Sequence, residues 1–357
     1  MIRLLIADDS ALMRKLLEDI FAKQGDFDIR LARNGEEALE ITRTFDPHVV
    51  TLDVHMPRMD GLSCLSRMMV EMPRPVVMIS SLTADGAEAT LEAMELGAVD
   101  FITKPSGAIS LEIDRLRPLV VEKIRCAATA RVSKTLRLRE RIRHQWSANE
   151  RMPPRQPNIR RGGTPGLVLV GTSTGGPAAL DIVLPQLPSD FPWPVLVAQH
   201  MPAKFTGPFA KRLDRHCGLN VVEVTKPVLL RPGSIYIGRG DADVVVTGRA
   251  AGTLAMSAPA KPDYPWHPSV ERMVDTAMEY CNPERLIGVL MTGMGRDGAD
   301  AMTRLKAQGG RTIAEAESTS VVWGMPGELV AAGGAEAVAP VDKIAATIIE
   351  WVSDAAN

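Results

Sequence analysis

The chain has 357 residues, 45% hydrophobic and 24% charged, and its 41 basic and 43 acidic side chains leave a formal net charge of −2. At roughly 150 residues per domain that length predicts two domains or three, with enough apolar surface for real cores. The near-balanced charge excludes the general electrostatic case for a nucleic-acid binder, and the composition excludes a disordered chain. No apolar run approaches the ~18 residues of a membrane span, so direct membrane insertion is not expected. Met1–Asp9 turns acidic after one short apolar stretch, which is no signal peptide. Cys64, Cys126, Cys217 and Cys281 are scattered and form no CxxC pair, as in thiols of a reducing cytoplasm. A soluble, cytoplasmic protein is expected.

From Ile2 to about Val121, strand-length apolar runs alternate with amphipathic stretches. The runs are Leu4–Ala7, Asp28–Ala32, Val49–Leu52, Val76–Ile79 and Val99–Ile102. Between them lie patterns such as Leu12, Leu16, Leu17, Ile20 and Phe21, spaced for one buried helical face. Such alternation predicts a five-stranded parallel sheet of flavodoxin-like type with helices on both sides, over residues 1–121. Residues 122–164 bring basic side chains from Arg131 to Arg143 and the proline-broken Met152–Pro157, which reads as a solvated linker with a helical first half. Residues 165–357 predict a second, larger doubly wound α/β domain. Its strands include Gly166–Val170, Pro194–Ala198 and Leu286–Met291, and Ile235–Met256 reads as antiparallel hairpins inserted into it.

In parallel α/β sheets functional groups collect beyond the carboxyl ends of strands. Asp8 and Asp9 follow the first predicted strand, Asp53 the third, Ser80 the fourth and Lys104 the fifth. Singly, Asp8–Asp9 reads as a cap for the helix beginning near Ala11. Together, three converging carboxylates repel one another unless a cation sits among them, and a hard cation such as Mg2+ suits an oxygen-rich site. A carboxylate so placed can also act as a nucleophile and form an aspartyl-phosphate, with Lys104 and Ser80 holding phosphoryl oxygens.

The segments IADDSALMRKLL, TLDVHMPRMDGL, VVMISSLT and GAVDFITKPSG resemble a response-regulator receiver domain. The resemblance implies Asp53 as phospho-acceptor, and Asp8, Asp9, Asp53 and the backbone carbonyl of His55 as the Mg2+ site. It further implies Ser80 as switch hydroxyl, Lys104 as phosphate-sensing cation, Phe101 as the aromatic that moves with them, and a cis Lys104–Pro105 peptide. His55 stands where an acidic residue is more usual in the family, but its side chain is not required as a ligand.

In the second block, Gly171-Thr172-Ser173-Thr174-Gly175-Gly176 follows an apolar run. A phosphate-cradling loop, a plain turn with a serine cap and an exposed serine nucleophile all remain open for it. A nucleophile needs a base, and of the six histidines His200 alone follows a buried-type strand. The orienting acid is best sought after the remaining strong strand, where Asp297 lies; alone it reads as an Asp-Gly turn. The chain order Ser–His–Asp disfavours the α/β-hydrolase fold despite the GxSxG match.

GTSTGGPAAL, VAQHMPAKFT, VLMTGMGRDGADAM and VVWGMPGELV resemble the catalytic domain of the chemotaxis protein-glutamate methylesterases, the CheB family. By that resemblance Ser173 is the nucleophile, His200 the general base and then acid, Asp297 the orienting group, and the Met294 backbone amide an oxyanion donor. Thr172 and Trp323 depart from the commoner family residues. The resemblance implies a hydrolase activated by phosphorylation, relieved of inhibition by its receiver, that removes methyl groups from chemoreceptor glutamates and deamidates receptor glutamines. It implies a histidine kinase as phosphodonor, methyl-accepting chemoreceptors as substrate, and no cofactor in the catalytic domain. A serine hydrolase acting on another signalling protein, and a non-catalytic binding protein, are the alternatives.

Overall fold

The computed structural model describes residues 1–81, 83–104, 109–132, 166–250 and 252–355, without the side chains of 84 and 109–116. The expected cis Lys104–Pro105 bond and most of the 122–164 segment lie outside the described residues. Two compact units divide the chain, Met1–Arg137 and Leu138–Asn357.

The first unit alternates strictly: β1 (Ile2–Ala7), α1 (Ala11–Ala22), β2 (Phe27–Ala32), α2 (Gly35–Phe45), β3 (Val49–Asp53), α3 (Gly61–Glu71), β4 (Val76–Ser80), α4 (Ala84–Leu96), β5 (Asp100–Thr103) and α5 (Ile109–Ala128). The strands pair in parallel in the order β2-β1-β3-β4-β5. β3 and β4 are buried along their whole length, as strands covered by helices on both faces must be. The helix caps are local in origin. The side chains of Ser10, Asn34, Asp60 and Thr83 each accept a backbone N–H from the first turn of α1, α2, α3 and α4. Ser10, not Asp8 or Asp9, therefore caps α1. α5 continues past residue 121 to Ala128, with Ile124 and Ala127 buried.

The second unit is built on a seven-stranded sheet in the order β15-β14-β13-β6-β7-β10-β8, parallel throughout. Its strands are β6 (Leu167–Thr172), β7 (Val195–Gln199), β8 (Asn220–Val224), β10 (Ser234–Gly238), β13 (Leu286–Leu290), β14 (Arg311–Glu315) and β15 (Ala337–Ala339). The flanking helices are α6 (Gly176–Val183), α7 (Ala203–His216), α8 (Val270–Tyr280), α9 (Ala299–Ala307), α10 (Met325–Ala331) and α11 (Val341–Asp354). A small antiparallel sheet adds β9 (Val228–Leu229), β11 (Ala242–Arg249) and β12 (Gly252–Pro259). The expected hairpin is the β11–β12 pair. β10 departs from that expectation: its Ile235, Tyr236 and Ile237 are buried in the main sheet between β7 and β8. A two-sided apolar run packs best inside a parallel sheet, and periodicity alone cannot say which sheet will take it.

In both units the chain starts in mid-sheet, builds to one side and returns on the other. β1 and β3 flank that reversal in the first sheet, β6 and β13 in the second. Parallel sheets open a crevice at such a point, beyond the strand carboxyl ends. Both candidate sites lie there.

Candidate functional site

In the first unit Asp8 follows β1, Asp53 closes β3, Ser80 closes β4 and Lys104 follows β5. Asp8 and Asp53 are buried, Asp9 is exposed, and carboxylate oxygens of the three lie within 4.8 Å of one another. Lys104 Nζ lies 2.7 Å from Asp53 Oδ2 and 2.9 Å from Asp8 Oδ2. The Ser10 N–H donates to Asp8 Oδ1 at 2.8 Å, and the buried Asp8 Oδ2 has the Lys104 ammonium as its one neighbouring cation among the described residues. Burial pushes the Asp53 carboxyl above its ordinary pKa; Lys104 works against that and the neighbouring Asp8 charge adds to it. Burial works against the charge on Lys104, but bonds to Asp53 and Asp8 more than offset this and raise its pKa. Three carboxylates whose oxygens lie this close together are the oxygen-rich donor set that suits a hard divalent cation.

The remaining residues expected here have definite places. Ser80 is fully buried and its hydroxyl donates to the Gly86 carbonyl at 2.9 Å, so in this structure it is engaged by α4. The Phe101 ring is buried, with Lys123 Nζ 5.5 Å from its centroid. Lys123, which sequence reasoning missed, also donates to Asp100 Oδ1 and to the Phe101 carbonyl. His55 is exposed in the turn two residues after Asp53. Gly61 must be glycine for a packing reason: a Cβ there would sit 2.0 Å from the Asp53 carbonyl oxygen.

In the second unit Thr172 and Gln199 are register partners on β6 and β7, so Ser173 and His200 each stand one residue beyond a paired position. The His200 N–H donates to the Thr172 carbonyl at 3.0 Å and closes the ladder. Adjacent strands run about 4.8 Å apart, so this register places the serine and histidine side by side. Asp297 arrives from the loop after β13, on the other side of β6. His200 Nε2 lies 2.8 Å from Asp297 Oδ2. The other ring nitrogen, Nδ1, is buried with no partner among the described residues. A bonded Nε2 and an open Nδ1 make an oriented imidazole with one nitrogen available for proton transfer.

Asp297 also receives the N–H groups of Val270 (2.7 Å) and Glu271 (3.0 Å) and the Ser269 hydroxyl (3.1 Å). These are the cap and first turn of α8, whose free N–H groups favour a negative charge. Burial opposes ionisation of Asp297, yet the His200 and backbone bonds prevail and hold its pKa below the ordinary carboxylate value. The Asp-Gly turn expected here is present, since Gly298 has φ +88° and caps α9.

The turn after Ser173 is made by Gly175, at φ +79°, and α6 follows. Ser173 itself has no positive φ. The strained nucleophile turn of the α/β-hydrolases is thus not used, in line with the chain order. Among the described residues no acceptor takes the Met294 N–H, which lies in the Met291–Gly298 loop. Gly293 lets that loop pack on the serine: a Cβ would lie 2.7 Å from Ser173 Cβ and 2.4 Å from Met325 Sδ. Its carbonyl accepts from Gly324 and Met325.

Four site residues escaped sequence reasoning. Gln199, buried at the end of β7, donates to the carbonyls of Ser173 and His200, both at 3.0 Å, and accepts the Thr172 hydroxyl at 2.6 Å. Thr292 accepts the Ser173 N–H on its carbonyl and donates its hydroxyl to the Thr174 carbonyl. Glu315 accepts the Thr292 N–H. Trp266 stacks on His200, with centroids 5.8 Å apart and planes at 14°. A polar residue ending an apolar run was the available signal for Gln199 and Glu315; Trp266 carried none. His267, beyond Trp266, pairs instead with the buried Asp243, 2.7 Å away.

Comparison with known proteins gives the same two-part division. The CheB methylesterase family profile matches residues 168–348, and the response regulator receiver domain profile matches residues 4–113. The chain is 67% identical to a protein-glutamate methylesterase/protein-glutamine glutaminase of Rhodopseudomonas palustris over 98% of each chain. It is 52% identical to one of Rhodospirillum rubrum, over 99% of this chain and 97% of that one. Among solved structures, the Thermotoga maritima CheB methylesterase catalytic domain superposes with a TM-score of 0.51 at 36% identity, covering 53% of this chain and 99% of that one.

Proposed function

The chain belongs to the CheB methylesterase family, with a response-regulator receiver domain ahead of its hydrolase domain, and on that premise we propose that it hydrolyses glutamate methyl esters of chemoreceptors under the control of phosphorylation at Asp53. The observation that carries the catalytic half is the buried His200–Asp297 pair, whose Nδ1 has no partner among the described residues, at the end of the strand paired with the one that leads into Ser173. In the reaction the Ser173 oxygen attacks the ester carbonyl and its proton passes to His200 Nδ1. Asp297, ionised and bonded to Nε2, stabilises the imidazolium that forms. The Met294 amide donates to the developing oxyanion. His200 returns the proton to the departing methoxide, methanol leaves, and a glutamyl ester of Ser173 remains. Water, deprotonated by His200, then releases the glutamate and restores the serine. With a receptor glutamine the same sequence releases ammonia in place of methanol.

The receiver half rests on the crowded carboxylates. Asp8, Asp9, Asp53 and the His55 carbonyl would hold Mg2+, which supplies charge neutralisation for the incoming phosphoryl group. Asp53 takes the phosphoryl group from a histidine kinase, and Lys104 and Ser80 then turn towards its oxygens. Such a protein works in the cytoplasm, where kinase and receptor signalling domains are both accessible. Ser173→Ala should abolish methanol release from methylated receptor while leaving the fold intact; release at the wild-type rate would reject the nucleophile assignment.

A further inference from the structure

β14 is a buried strand that ends on an acid: Glu315 is 1% exposed and pairs with no cation among the described residues. Its Oε2 accepts the Thr292 N–H at 2.8 Å and its Oε1 accepts the Thr319 hydroxyl at 2.9 Å. Thr292 in turn accepts the Ser173 N–H at 3.0 Å and donates its hydroxyl to the Thr174 carbonyl at 2.9 Å. The Glu315 carbonyl accepts the Trp323 indole N–H at 3.0 Å, and Trp323 pairs with Gly293. One residue thus ties together the nucleophile loop, the loop bearing the Met294 amide and the segment packed beneath it.

We propose that Glu315 is a positioning residue for the ester hydrolysis, holding the Thr292 amide so that Ser173 and the Met294 amide keep the spacing the oxyanion requires. It touches no reacting atom, and the inference rests on the hydrolase reading above. Burial pushes its carboxyl up to about 7, against the Thr292 N–H and the Thr319 and Ser320 hydroxyls, which favour the ionised form. The groups facing it are those three. Thr319 is itself held by the Val341 N–H at the start of α11, Glu317 on the same connection is exposed, and His200 with Asp297 is the site's other titratable pair.

Both forms of the carboxyl can accept the Thr292 N–H, so positioning survives titration. The ionised form, however, puts a negative charge on the loop that must accept a negatively charged oxygen, in a medium of low dielectric. The rate should therefore carry a component that falls as pH rises through about 7. Stability follows the same sign. A folded-state value raised from 4.5 adds stability that is full below 4.5 and is lost as pH climbs through about 7.

The test is methanol release by the full chain from methylated receptor, with Mg2+ and beryllofluoride present. Glu315→Ala, which leaves the Thr292 amide without its acceptor, should lower kcat on the order of 10- to 100-fold with KM little changed. Glu315→Gln keeps an acceptor for Thr292 and should restore kcat at acid pH. Towards alkaline pH it should overtake the wild type by roughly threefold, and its melting temperature should lack the wild type's decline over that range. Wild-type kcat in a folded Glu315→Ala protein, or a folded Gln variant that fails to recover wild-type kcat at acid pH, would overturn the proposal. If the Ala variant does not fold, the Gln profile decides alone. Turnover that survives Ser173→Ala would instead reject the hydrolase reading on which the proposal stands.

Discussion

Asp297 is bound by His200, the Ser269 hydroxyl and the N–H groups of Val270 and Glu271. Charge-assisted bonds of this kind stabilise a carboxylate, so its pKa is lowered despite burial. That contribution is present above the ordinary value of 3.8 and is lost as pH falls through the lower folded value. Asp297→Asn should therefore flatten the acid side of a denaturation profile as pH falls below about 4. The same change offers the imidazole a donor where it needs an acceptor, and kcat should fall on the order of 10^3-fold or more in a methanol-release assay. Gln199 acts through the backbone instead. Removing its amide leaves the His200 carbonyl and the buried Thr172 hydroxyl without partners and the Ser173 carbonyl with only the Gly176 N–H, so Gln199→Ala should cost about 2 kcal/mol in urea unfolding. Asp297 and His200 could be picked out from their place after strand-like runs. Gln199 could not, because its role exists only once β6 and β7 are in register.

The elements owe their contacts to a few positions without side chains. Gly293 lets the loop after β13 lie directly on Ser173, and Gly175 turns the chain into α6. Gly293→Ala would drive its Cβ into Ser173 and Met325, atoms it would approach to 2.7 and 2.4 Å. The nucleophile should then lose its setting against the Met294 amide. A kcat loss on the order of 10^2-fold is expected, with KM changed less, in steady-state assays of ester hydrolysis. Strands with strong apolar runs, such as Val49–Asp53 and Val195–Gln199, were legible from sequence. The strands β9, β15, β8 and β14 were not: β9 and β15 have two or three residues and so no periodicity to read, β8 mixes apolar with polar positions, and the apolar core of β14 is short between Arg311 and Glu315. The inserted hairpin was recognised, while β10 was assigned to it though it belongs to the main sheet.

At the scale of the whole molecule, two units of one architectural kind carry different chemistry at the same topological position. In each, the candidate groups sit beyond the carboxyl ends of strands where the strand order reverses. Phosphorylation at Asp53 should be felt in the esterase rate. Mg2+ with beryllofluoride should raise methanol release by the full chain severalfold, chelation of the metal should remove the increase, and Asp53→Asn should not respond at all. An equal response in Asp53→Asn would show that the control does not pass through that carboxylate.

The two-part α/β organisation can be read from the amino-acid sequence, as can the positions of Asp8, Asp53, Lys104, Ser173, His200 and Asp297 after strand-like runs. Each lies within a residue or a short loop of a strand whose apolar run announces it. The opening balance of 41 basic and 43 acidic residues showed none of this. Tertiary structure alone decided which nitrogen of His200 meets Asp297, that α8 presents its N–H groups to that carboxylate, that Trp266 covers the imidazole, and that Glu315 and Gln199 brace the loops. Those contacts join residues far apart in the chain, such as His200 and Asp297, 97 positions apart. Local spacing specifies where a strand ends, but only the packed sheet specifies what lies across from that end.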